Sequence, residues 1–136
     1  MTPASFRCLI LASLVLLAAS AFVDPLFPGL IPPSVSQAVE EAPLPSMVGG
    51  WWFPVLVVPW ALALLVATIG LLFFRRWARA LSLWATLVGF AFYPFLGAQV
   101  SSGWASGFGE ASATLWGAAL ATAFFSPLRE RFAVQQ

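Results

Sequence analysis

The placement of arginine constrains this chain more than any other feature. The six basic residues are Arg7, Arg75, Arg76, Arg79, Arg129 and Arg131; lysine is absent. Around them lie four long apolar stretches, at about 6–23, 51–74, 80–100 and 108–126. A helix needs about 20 apolar residues to cross a bilayer, and in lipid its backbone must be hydrogen-bonded internally. Four crossings put every arginine on one side, with Glu130 the only acid among them. Asp24, Glu40, Glu41 and Glu110 fall on the other side. Arginine-rich segments stay cytoplasmic, so both termini are expected there. The expected fold is all-α: a single domain over 1–136, an integral membrane protein with four transmembrane helices in an up-down bundle.

Composition agrees. The chain is 61% hydrophobic and 8% charged, where soluble domains carry roughly 25% charged residues. Histidine is absent and Cys8 is the only cysteine. That removes imidazole-based metal sites and general bases, an intrachain disulfide and a CxxC motif. Without lysine there is no Schiff-base chemistry and no phosphate-binding P-loop. A net charge of +1 argues against nucleic acid as a partner. No cofactor is expected.

The extracytoplasmic loop 24–50 begins "DPLFPGLIPP". Each proline removes a backbone donor and restricts its predecessor, so this part is expected to be non-helical. Ser34 and Gln37 then form an S-x-x-Q capping box, and Pro43 marks a stop. The expectation is a short helix lying on the outer membrane surface. Arg7, the apolar core and "ASA" at Ala19–Ala21 also fit a secretory signal peptide. Retention is favoured, because the apolar run through Val23 is longer than the usual signal core of about 7–15 residues.

Pro59 in the second span and Pro94 in the third are expected to free the carbonyls of Val55 and Phe90 and kink their helices. Arg75, Arg76, Arg79, Arg129 and Arg131 read as topology determinants in contact with lipid headgroups. Helix association in lipid depends on close approach through small residues. Ala113, Gly117 and Ala121 make a small-xxx-small stripe in the fourth span, and Ala85 and Gly89 offer one in the third. These stripes are expected to make the internal contacts or a homodimer seam.

Glu110 is the only acid within reach of a span, and a carboxylate inside a membrane is a functional candidate by default. With Tyr93 and Gln99 it makes a candidate polar site on the outer side. "SGFG" before it reads as a loop, which would put Glu110 at the start of a helix, where the helix dipole favours negative charge.

In length and span count the chain resembles the small multidrug-resistance transporters. Those carry an essential glutamate in the middle of the first span; "CLILASLVLLAASAFV" contains no acid, so no residue carries over. The Arg-flanked, Trp-rich "RRWARALSLWATL" is similar in style to small membrane proteins of bacteria with Ala- and Arg-rich proteomes. That likeness implies a bacterial inner membrane. The expected role is non-enzymatic: a structural or accessory component packing with itself or with a larger membrane complex. The alternative is a small proton-coupled transporter or channel using Glu110.

Overall fold

The computed structural model describes residues 2–40, 51–95, 100–127 and 132. All regular structure among them is helical: α1 (Pro3–Leu26), α2 (Pro33–Glu40), α3 (Trp52–Leu72), α4 (Arg76–Phe92) and α5 (Gly103–Phe125). Two of these, α1 and residues 53–72 of α3, are long and apolar enough to cross a membrane, with mean hydropathies of 2.3 and 2.5. By comparison α4 has 17 residues, short of the usual span length, and α5 carries Glu110.

Helix ends follow from local chemistry. Thr2 caps α1 by accepting from the Ser5 amide at 3.2 Å, and Ser102 caps α5 by accepting from the Ala105 amide at 3.2 Å. The end of α3 is a Schellman motif: the Arg75 amide donates to the Gly70 carbonyl at 2.8 Å, and the Phe74 amide to the Leu71 carbonyl at 3.1 Å. The left-handed position of that motif usually takes glycine. Here Phe74 occupies it, with φ 57°. Ring packing compensates, because Phe74 lies 5.6 Å from Phe6 and 5.1 Å from Phe132.

The prolines depart from expectation in three places. Pro25 lies inside α1, which continues to Leu26; it removes the one amide that would bond the Ala21 carbonyl, and the helix ends one residue later. A 3₁₀ turn follows at Pro28–Leu30. α2 starts at Pro33, one residue before the expected cap Ser34, because proline is pre-set for the first helical position. Pro94 does not kink a longer helix: α4 stops at Phe92, and Tyr93–Phe95 is a 3₁₀ turn. The amide of Tyr93 bonds the Phe90 carbonyl instead. Pro59 does stand inside α3, as expected.

The long helices pair in antiparallel fashion. α1 lies along α5, as Ser13 meets Ser112 and Ser20 meets Ala105. α3 lies along α4, as Gly70 faces Ala78 and Trp60 faces Ala85 and Gly89. Trp116 donates to Thr86 at 2.9 Å, tying α5 to α4. At the arginine end Phe6, Leu71, Phe74, Ala78, Ala119, Ala123 and Phe132 form one buried cluster that joins both pairs. Phe6 and Phe132 meet edge-on at 6.1 Å, a favoured aromatic geometry.

Candidate functional site

Among the described residues the buried polar side chains Ser13, Ser102 and Ser112 lie along the α1–α5 seam, while Thr68 and Ser82 lie on α3 and α4 and donate to carbonyls of their own helix. Ser13 Oγ donates to the Ser112 carbonyl at 3.0 Å, and Ser112 Oγ returns a bond to the Ser13 carbonyl at 2.8 Å. Both side chains are buried. About two turns along the seam, Ser20 Oγ donates to the Ala105 carbonyl at 2.7 Å. At the end away from the arginine cluster the Ser102 amide donates to Asp24 Oδ2 at 3.0 Å. That bond sets a carboxylate against the N-terminus of α5, where the helix dipole favours it. Asp24 Oδ1 is buried without a hydrogen-bond partner among the described residues.

The sequence alone marks Asp24 only as an acid away from the arginines and does not single out Ser13, Ser20, Ser102 or Ser112. The signal was present. Ser102, Ala105, Gly109, Ser112, Trp116, Ala119 and Ala123 recur in steps that alternate between three and four residues. This is the 3.5-residue period of a helix seam.

That period explains why the expected packing stripe lies elsewhere. Ala113, Gly117 and Ala121 are all exposed, and a Cβ on Gly117 would meet nothing within 4 Å. Ala113 and Gly117 each sit one residue beyond a seam position, a rotation of about 100° around the helix. The internal contacts of α5 therefore do not use this stripe. In α4 the expected residues are at a contact. Ala85 is buried and accepts at 2.7 Å from the Trp60 indole. A Cβ on Gly89 would stand 2.7 Å from Trp60 Cζ2, so only glycine admits the ring.

Glu110 is not at a helix start. α5 begins at Gly103, which puts Glu110 two turns into the helix, about 10 Å along its axis. "SGFG" is helical because Ser102, and not a residue nearer Glu110, supplies the cap. The carboxylate is exposed on the outer face of α5. Tyr93 is 70% exposed and stacks on Phe90 at 6.3 Å; no hydrogen bond joins it to Glu110. Gln99 lies outside the described residues.

The arginines divide into two kinds. Arg79 Nη1 donates to the Ala123 carbonyl at 3.3 Å, and its guanidinium stands 5.0 Å from the Phe132 ring and 5.7 Å from Phe124. Arg7 Nε donates to the Leu72 carbonyl at 3.2 Å, with its guanidinium 5.5 Å from Phe74. These contacts hold the cluster at that end of the molecule. Arg75 and Arg76 are exposed. Arg75 precedes α4 and Arg79 lies within it. Arg129 and Arg131 lie outside the described residues.

Among the described residues, no group of three or more His, Cys, Asp or Glu is placed to hold a metal ion. The chain matches no family model, no curated protein and no solved structure.

Proposed function

We propose that this chain is a non-enzymatic integral protein of a bacterial inner membrane that acts as a structural or accessory component. In this reading all four long helices cross the bilayer and both termini are cytoplasmic. The 3₁₀ turn at Tyr93–Phe95 extends α4 toward span length. Arg7, Arg75 and Arg79 lie at the end shared by Leu72, Phe74 and Ala123, as the cytoplasmic bias of arginine requires. Asp24 and Ser102 lie at the opposite end, where α2 would rest on the membrane surface.

One observation carries the functional reading. Four polar contacts join neighbouring helices: Ser13 with Ser112, Ser20 with Ala105, Trp60 with Ala85, Trp116 with Thr86. Their partners are the neighbouring helix, and they converge on no common point. A proton-transport role for Glu110 is not adopted, because its carboxylate faces away from the helix interfaces.

The test is isolation from native membranes in a mild detergent. A stoichiometric complex, with itself or with another membrane protein, is expected. A monodisperse monomer that moves protons or solutes when reconstituted would overturn the reading.

A further inference from the structure

Glu110 has a height as well as a face. The α1–α5 register pairs Ser13 with Ser112 and Ser20 with Ala105, so Glu110 is level with Val15, in the body of α1. The same register sets Arg7 level with Ala118, two turns toward the arginine end. Arg7 is moreover held there by Leu72 and Phe74. An unpaired carboxylate at this depth in a bilayer is costly and calls for a partner.

The surface around it is shaped for close approach. Glu110, Ala113, Thr114, Gly117 and Ala121 share one face of α5, and all are exposed. Thr114 bonds the Glu110 carbonyl at 2.9 Å, and nothing stands over Gly117. Small side chains let another helix backbone come near.

We infer that the Glu110 face of α5 docks a membrane-spanning helix of another protein that carries an arginine or lysine at the level of Glu110. The inference rests on the membrane reading above and names the partner's chemistry. Charge complementarity selects it. A second copy in the same orientation presents Glu110 to Glu110 at this height, and its arginines lie at the other end. A helix with a basic side chain supplies the missing charge, in surroundings where ion pairs are weakly screened.

The experiment places p-benzoylphenylalanine at Ala121 and, separately, at Ala113, with Val15 on α1 as the control position. Cells are irradiated and the cross-linked peptide is sequenced. The expected product at both α5 positions, and not at Val15, is a membrane span of another protein containing arginine or lysine. Glu110→Gln preserves the shape of the side chain and should lower the yield about tenfold. Replacing the partner's basic residue with glutamine should do the same.

Capture of a second copy of this chain, of lipid alone, or of a span whose yield ignores Glu110→Gln overturns the inference. Carbonate extraction separates this from the broader reading. A chain that stays in washed membranes yet captures no basic span overturns the docking site alone. A chain released by carbonate overturns both.

Discussion

The two helix pairs reach close packing by different means. Along α1–α5 the seam is built from small residues in a 3.5-residue period, and serines cross-link the backbones. Along α3–α4 one large ring is set into a gap: the Trp60 indole lies against Gly89 and bonds the Ala85 carbonyl. The first arrangement spreads its contacts over the helix length, from Ser13 to Asp24. The second concentrates them at two places, Trp60 with Gly89 and Gly70 with Ala78 and Trp77. A distributed seam should therefore tolerate single changes, and a concentrated one should not.

The largest effect is expected from Gly89→Leu. Even the Cβ would stand 2.7 Å from Trp60 Cζ2, and the indole is tethered by its bond to Ala85. Overpacking by extra methylenes costs typically about 1–3 kcal/mol and occasionally more; leucine adds four carbons where the first already clashes, so the cost should exceed that range. Thermal unfolding in detergent should show a marked fall in midpoint. Retention of the wild-type midpoint would mean that α3 and α4 are not packed through Trp60. Phe74→Ala should come close behind, because it removes the ring that joins α1 to the α3–α4 turn. Phenylalanine truncation in a packed core costs about 3 kcal/mol or more, and alanine keeps the Cβ that makes a left-handed backbone unfavourable, so no strain is released.

On the α1–α5 side the expected losses are smaller. Ser112→Ala removes one of two reciprocal bonds and leaves Ser13 bonded to the residue 112 carbonyl. Interhelical hydrogen bonds in membranes average about 0.6 kcal/mol. The double variant Ser13→Ala with Ser112→Ala should lower the midpoint further without separating the pair. Complete loss of α1–α5 contact in the single variant, read by cross-linking of cysteines placed at Ser20 and Ala105, would remove the distinction between a distributed and a concentrated seam.

How far the sequence revealed this arrangement depends on the residue. The break between α3 and α4 at Arg75 is legible, because the arginines interrupt two apolar runs. Gly89 was also legible, since a glycine in an apolar helix marks a close approach. Two features were not. The chain from Ser101 to Glu110 reads as a loop by its glycines and serines, yet a single cap at Ser102 makes it helical and moves Glu110 two turns inward. The internal packing face of α5 is not legible, because small residues occur at both four-residue and 3.5-residue spacing. Only the partner helix decides between them, and its serines at 13 and 20 show their seven-residue step once α1 and α5 are known to be neighbours.

The smallest effect tests that choice of face directly. Gly117→Leu puts a large side chain on the four-residue stripe; Gly109→Ala puts a single methyl on the seam. Nothing lies within 4 Å of a Cβ at Gly117, whereas a Cβ at Gly109 would stand 3.2 Å from Ser20 Oγ. Ser20 must then shift from its 2.7 Å bond to the Ala105 carbonyl. The larger substitution should therefore change the unfolding midpoint of the isolated chain less, by no more than about 0.5 kcal/mol, while the methyl should cost about 1 kcal/mol. Reversal of that order would return the internal contact to the Ala113, Gly117 and Ala121 face. The docking proposed for this face further predicts that the same Gly117→Leu variant loses its partner in native membranes.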